Sequence, residues 1–172
     1  QPNGEVEIKS ISFDSRKIIE AEHCLFFALV TKRNNGHKYL NDAYAKGVRF
    51  FVVSEAVSLP QDAIIINVQD TLVAAQRLVG FHRNKFSYPV LGITGSNGKT
   101  IVKEWLYQVM HSSFKIARSP KSFNSQIGVP LSLSLLNEWN DFAIIEAGIS
   151  EKGEMQNLAE IINPTHGLIT NI

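Results

Sequence analysis

The sequence predicts an α/β fold: a small N-terminal α/β domain over residues 1–87, followed by part of a parallel-sheet domain over residues 88–172. Three observations predict it. Short apolar runs rich in β-branched or aromatic residues alternate with segments of helical period, the pattern of a parallel sheet. The pattern restarts around "NKFSYPV", where Pro89 biases Tyr88 to an extended entry into a new strand. Finally, "VLGITGSNGKT", Val90 to Thr100, breaks from an apolar run into a glycine-rich polar corner that opens the next helical segment.

In chain order, "VEIKSISF" alternates apolar and polar residues, and "CLFFALV", "RFFVVS" and "AIIINV" are short apolar runs of strand length. Between the second and third lies "GHKYLNDAYAKG", with apolar or small residues at helical spacing and Gly47 placed to stop it. After the fourth comes the helical "DTLVAAQRLVGFHRNKF", with Asp70 as its expected cap. The second half cycles strand "VLGIT", helix "KTIVKEWLYQVMH", strand "FKIARS", helix "SQIGVPLSLSLLN", strand "DFAIIEAG", helix "GEMQNLAEII" and strand "HGLITNI". That last apolar strand ends the chain with no polar tail, which predicts a fragment with an exposed sheet edge able to self-associate.

Composition narrows the function. With 172 residues, 44% of them hydrophobic and 19% charged, the chain can bury a sizeable core. The 17 Lys and Arg against 16 Asp and Glu leave a formal charge of +1, which argues for neither nucleic acid nor an anionic membrane as partner. No apolar run approaches the roughly 20 residues of a membrane span, and "QPNGEVEIKS" lacks a basic-then-apolar signal, so the expected location is cytoplasmic. The single cysteine, Cys24, sits inside "HCLFFAL" and reads as a buried small hydrophobe rather than a nucleophile.

The glycine corner carries the chemistry. A strand entering such a turn and opening a helix brings free backbone N–H groups and the positive helix end to one point, which suits phosphate oxygens. In that geometry Gly95 and Gly98 allow the backbone to approach phosphates, Lys99 can bridge the terminal phosphates, and the Thr100 hydroxyl can sit on Mg²⁺. The strict Walker pattern wants glycine where Ile93 stands, so the match is to the shorter G-x-x-G-K-T form. The corner thus reads as a P-loop for a nucleoside triphosphate. A triphosphate site also needs a carboxylate at a strand end. Glu146, after the apolar run Phe142 to Ile145, supplies one, with a solvated or capping glutamate as the alternative. Asp141 starts the same strand and falls at its far end.

Together, "GITGSNGKT", "SFNSQIGVPLSL", "FAIIEAGISEKGEM" and "NPTHGLITNI", in that order and spacing, resemble the central ATPase domain of the Mur ligases. "FDSRKI", "LFFAL" and "NNGHKYLNDAYAKGVRFFVVSE" are similar to the N-terminal domain of the family member that adds D-alanyl-D-alanine (D-Ala-D-Ala) to the UDP-N-acetylmuramoyl tripeptide. The resemblance implies that Gly95, Ser96, Asn97, Gly98, Lys99 and Thr100 bind ATP, with Lys99 catalytic, and that Thr100 and Glu146 hold Mg²⁺. It places Asn124 near the γ-phosphate, where a helix cap is the other reading. It places Ser15 and Arg16 near the uridine nucleotide, where a tight turn with a surface arginine is the other reading. His37, after Gly36, matches a family "GH" pair or serves as a turn histidine. The "IVK" following Thr100 departs from the small polar residues frequent in the family, with packing as the expected effect. "GKTIVKEW" also looks like forms fused to an alanine racemase.

The resemblance implies transfer of the ATP γ-phosphoryl group to the tripeptide carboxylate and attack of the D-Ala-D-Ala amine on the resulting acyl phosphate. No side-chain nucleophile is needed, and this chain alone is expected to be inactive. The alternatives are another Mur-type ligase adding diaminopimelate or lysine, and a non-catalytic nucleotide-binding module.

Overall fold

The computed structural model describes residues 6–32, 34–149, 151 and 153–171. Ser150 and Lys152 of the stretch "FAIIEAGISEKGEM", and the terminal Ile172, lie outside the described residues. The chain divides into two compact units, 1–75 and 76–172. The division falls ahead of the 87/88 boundary read from sequence, inside a helix. Its later turns bond within the second unit, Gln76 Nε2 to the Gln126 carbonyl and Arg83 Nε to the Ile162 carbonyl. A boundary placed where the sequence pattern restarts does not register such side-chain anchoring.

In the first unit, β1 (Ser10–Ser12), β2 (Cys24–Phe27), β5 (Phe50–Val53) and β6 (Ile64–Asn67) form a parallel sheet in the order β1-β2-β5-β6. The central strand β2 is buried along its whole length, as a strand covered on both faces must be. Cys24, Phe26 and Ala28 pack with Phe51, Val53, Leu40, Ala43 and Val48. Cys24 is 1% exposed and burial pushes its thiol pKa up, so the core reading holds and a nucleophilic role does not. β1 is shorter than the alternating run: β2 begins only at Cys24, after the 3₁₀ turn Ala21–His23, and the Lys9 N–H ahead of β1 donates to the carbonyl of His23 in that turn at 2.9 Å. A small antiparallel pair, β3 (Val30–Thr31) with β4 (Asn34–Asn35), has no counterpart in the sequence reading. The helical run after it splits into a 3₁₀ turn, Gly36–Tyr39, and α1 (Leu40–Ala45). α2 (Thr71–Arg83) is capped as expected, the Leu72 and Val73 N–H groups donating to Asp70 Oδ1 at 2.7 and 3.0 Å.

In the second unit β7 (Val90–Thr94), β8 (Ile116–Arg118), β9 (Phe142–Glu146) and β10 (His166–Ile169) form a parallel sheet in the order β10-β7-β9-β8. α3 (Lys99–Met110) packs on β7, β8 and β9, α4 (Gly128–Leu133) on β9, and α5 (Glu154–Ile162) on β7. β10 is an edge of the described sheet, and its Ile169 is exposed. The register pairs Ile93 of β7 with Glu146 of β9. Every strand points the same way, so the segments leaving β7, β9 and β10 emerge at one carboxyl edge, the position where open α/β sheets place ligands.

Candidate functional site

At that edge β7 gives way to Gly95, with φ +131°, and the turn closes at Gly98, with φ +81°, which caps α3. The first amides of α3 have no partner inside the helix and face outward with its positive end. Gly98 is uncrowded, an added Cβ meeting Thr170 Cβ at an ordinary contact distance of 3.9 Å. Gly95 is different. An added Cβ there would collide with Thr170 Oγ1 and come within 2.9 Å of the Asn171 backbone nitrogen and 2.8 Å of its oxygen. Gly95 is therefore demanded by the segment leaving β10, which crosses it, as well as by its own backbone conformation.

That segment also grips the corner. The Ser96 N–H donates to the Asn171 carbonyl at 3.1 Å, the Asn97 N–H to Asn171 Oδ1 at 2.7 Å, and Thr170 Oγ1 donates to the Asn97 carbonyl at 2.5 Å. The sequence reading quoted this stretch but gave neither residue a part. The grip requires β10 to lie beside β7, which no local pattern announces. Lys99 folds back on the corner, its Nζ donating to the Gly95 carbonyl at 2.6 Å.

A cleft of about 700 Å³ opens over the corner. It is lined by Gly95, Ser96 and Lys99 on one side and by Asn124, Ser125 and Gly148 among others. Behind it Thr100 Oγ1 donates to Glu146 Oε2 at 3.0 Å, and Asn124 Nδ2 approaches the same oxygen at 3.4 Å. Glu146 is wholly buried rather than solvated. The structure thus brings Gly95 to Thr100, Asn124 and Glu146 together. Asn124 does not cap α4, which opens at Gly128 after Ile127 at the cap position; the Gly128 N–H goes to Ser125 Oγ at 3.1 Å. Asp141, bonded to the Lys115 N–H, lies at the opposite end of β9.

Thr100 and Glu146 fit a hard cation by their chemistry. Mg²⁺ takes oxygen donors at ~2.1 Å in an octahedron, so neighbouring donors sit ~3 Å apart. The two oxygens here are 3.0 Å apart. Mg²⁺ needs only one or two protein oxygens when phosphates and water supply the rest, so a protein-only cage is not required.

One charged group in this neighbourhood escaped the sequence reading. Lys103, the lysine of "IVK", is fully buried with its Nζ 2.8 Å from Glu146 Oε1. Packing was the effect expected of this stretch. The structure shows an ion contact with Glu146, whose position in space depends on β9.

The first unit holds the remaining sequence-predicted residues. Ser15 is buried, and its carbonyl accepts from Lys46 Nζ at 2.9 Å. The Arg16 guanidinium is exposed and donates through Nε and Nη2 to both carboxylate oxygens of Asp14, each at 2.9 Å. That fork holds the Asp14 carboxyl down at about 2. His37 is fixed by both ring nitrogens. Nε2 accepts the Ser54 N–H at 3.0 Å, and Nδ1 meets Asn35 Oδ1 at 2.7 Å. Since Asn35 Oδ1 only accepts, Nδ1 carries the proton, and the imidazole serves as a turn histidine.

Comparison with known proteins places the chain's similarity in one family. Residues 93–172 match the Mur ligase middle domain. The UDP-N-acetylmuramoyl-tripeptide--D-alanyl-D-alanine ligase of Bacillus subtilis is 34% identical over 96% of this chain and 36% of its own length. The protein of the same name from Synechocystis is 34% identical over 98% of this chain and 37% of its own. MurF from Acinetobacter baumannii superposes with a TM-score of 0.87 at 29% identity, over 96% of this chain and 36% of that one. The chain therefore spans about a third of the length of the relatives it matches.

Proposed function

We propose that this chain, a member of the Mur ligase family, is the nucleotide-gripping third of an ATP-dependent ligase that adds D-Ala-D-Ala to a UDP-N-acetylmuramoyl tripeptide. The observation that carries this reading is the convergence of the 95–100 corner, Lys99 and the Thr100–Glu146 pair at one carboxyl edge of a parallel sheet. The names of the relatives supply the substrates. Residues 1–87 are assigned to the UDP end of the substrate, with Ser15 and Arg16 in that role. Residues 88–172 are assigned to ATP.

The chemistry follows from charge. A carboxylate oxygen of the tripeptide attacks the γ-phosphorus of ATP, the bond to the β-phosphate oxygen breaks, and ADP leaves. The amine of D-Ala-D-Ala then attacks the acyl phosphate carbon, inorganic phosphate departs with the C–O bond, and the amine loses its proton. In phosphoryl transfer the protein mainly positions groups and neutralises charge. Lys99 exchanges the Gly95 carbonyl for phosphate oxygens, which are stronger acceptors for an ammonium. The corner amides and the α3 N-terminus take the other oxygens, and Asn124 Nδ2 reaches the γ-phosphate. Thr100 and Glu146 would hold Mg²⁺, which would supply charge neutralisation when bound.

The test is phosphate release by the full-length protein, measured with and without each substrate. Release that needs both the UDP-linked tripeptide and D-Ala-D-Ala is the expected result. Release supported instead by diaminopimelate or lysine would move the protein to another branch of the family. The 172-residue chain, a third of such a ligase, is expected to release none. Its β10 edge is the proposed route of self-association.

A further inference from the structure

α3 is built against the usual rule for a helix lying on a sheet. Its apolar Ile101, Trp105 and Val109 are exposed, and the position with no exposure at all is a lysine, Lys103. Burying an ammonium costs several kcal/mol unless it is paired and hydrogen-bonded, so packing alone would select an apolar residue there. The pairing is specific. Nζ donates to the Ser119 carbonyl at 2.7 Å and to the Lys121 carbonyl, and lies 2.8 Å from Glu146 Oε1 and 3.2 Å from Glu104 Oε1. Glu104 is itself held by Arg118 through its other oxygen. Glu146 is wholly buried, and among the described residues Lys103 is the cation paired with it.

The two carboxylate oxygens of Glu146 are therefore divided. Oε1 faces Lys103, at angles outside hydrogen-bond geometry. Oε2 faces Thr100 and Asn124. Ser119 joins the arrangement from the backbone side, its Oγ accepting the Glu146 N–H at 3.0 Å. The carbonyls that Lys103 takes belong to the 119–121 turn, where Lys121 has φ 49° and from which Asn124 follows. One ammonium thus fixes both the carboxylate and the turn leading to Asn124.

We propose that Lys103 is a positioning residue of the cation site: it holds Glu146 Oε1 so that Oε2 alone is presented, beside Thr100, to the metal. The inference rests on the reading of Thr100 and Glu146 as the Mg²⁺ positions. Partners that orient a metal-ligating carboxylate are worth ~10- to 100-fold in metal affinity.

The experiment measures equilibrium binding of a fluorescent ADP analogue to the full-length protein, with saturating Mg²⁺ and with excess chelator, and takes the ratio as the metal-linked gain. Glu146→Gln should abolish the gain, and if the gain persists, the metal reading and this inference fall together. Lys103→Met should cut the gain by about tenfold or more while binding in chelator stays near wild type. If Glu146→Gln loses the gain and Lys103→Met keeps it, the metal reading stands and the inference is overturned. Equal loss with and without metal would also overturn it, since Lys103 would then be acting on the fold. Should Lys103→Met leave Glu146 uncompensated and the protein unfolded, the Lys103→Met/Glu146→Gln double variant carries the test. Binding that matches Glu146→Gln alone under both conditions supports the inference, and a further loss in chelator overturns it.

Discussion

Substitution of Gly95 by alanine tests the crossing of the β10 segment over the corner, with Gly98→Ala as its internal control. Both glycines have positive φ, +131° and +81°. Backbone strain alone, at about 1–3 kcal/mol for a non-glycine residue in a sparsely populated region, would make the two changes similar. The surroundings separate them. At Gly98 an added Cβ finds nothing nearer than 3.9 Å, so strain is the whole cost, on the order of 1–2 kcal/mol. At Gly95 the Cβ meets Thr170 Oγ1 and, at 2.8 and 2.9 Å, the backbone of Asn171. A backbone cannot rotate aside as a flexible side chain does, and overpacking of this kind adds about 1–3 kcal/mol. Gly95→Ala should therefore cost roughly 2–6 kcal/mol and weaken the Ser96 and Asn97 hydrogen bonds to Asn171. Thermal unfolding of the full-length protein, followed by far-ultraviolet circular dichroism, should show Gly95→Ala melting well below Gly98→Ala. At about 2–4 °C per kcal/mol for a domain of 150–250 residues, the gap should reach several degrees. Equal melting temperatures, or the reverse order, would refute the crossing.

Lys99→Ala should lower ligation by on the order of 10²-fold or more with at most a small drop in melting temperature, from loss of the hydrogen bond to the Gly95 carbonyl; near-normal turnover would remove the phosphate role. Arg16→Ala should weaken binding of the UDP-linked substrate in calorimetry and leave ATP binding alone, because a solvent-exposed pair with Asp14 adds little to the fold; loss of both ligands would point to misfolding. His37→Ala should destabilise by about 1–3 kcal/mol, the Ser54 N–H being left without its acceptor, and a neutral urea midpoint would count against that role. Asp14, depressed from 3.8 to about 2 in the fold, contributes stability that is present above pH 4 and lost as pH falls through 2. Asp14→Asn should therefore melt below the wild-type protein near neutrality, with the gap closing as pH falls from 4 through 2, a comparison of pH-dependent melting curves being the check.

What the sequence alone determined was local. The strands, their alternation with helices, the Asp70 cap and the corner from Gly95 to Thr100 follow from periodicity and from residue types whose backbone preferences act over a few positions. Glu146 was legible for the same reason, since a carboxylate ending an apolar strand of a parallel sheet must emerge at the ligand edge. Tertiary structure decided the rest. Whether Asn124 caps a helix or faces the carboxylate depended on where α4 begins: the helix opens at Gly128, whose N–H goes to Ser125 Oγ. The reason for glycine at 95 lies in Thr170 and Asn171, distant in sequence and adjacent only because β10 pairs with β7. Lys103 has the sequence context of a surface lysine on a helix and becomes a buried ion partner only because β9 sets Glu146 beneath it. Periodicity reports which face of an element is apolar. It does not report which charge waits on the other side, because that charge arrives through sheet pairing between segments the chain keeps far apart.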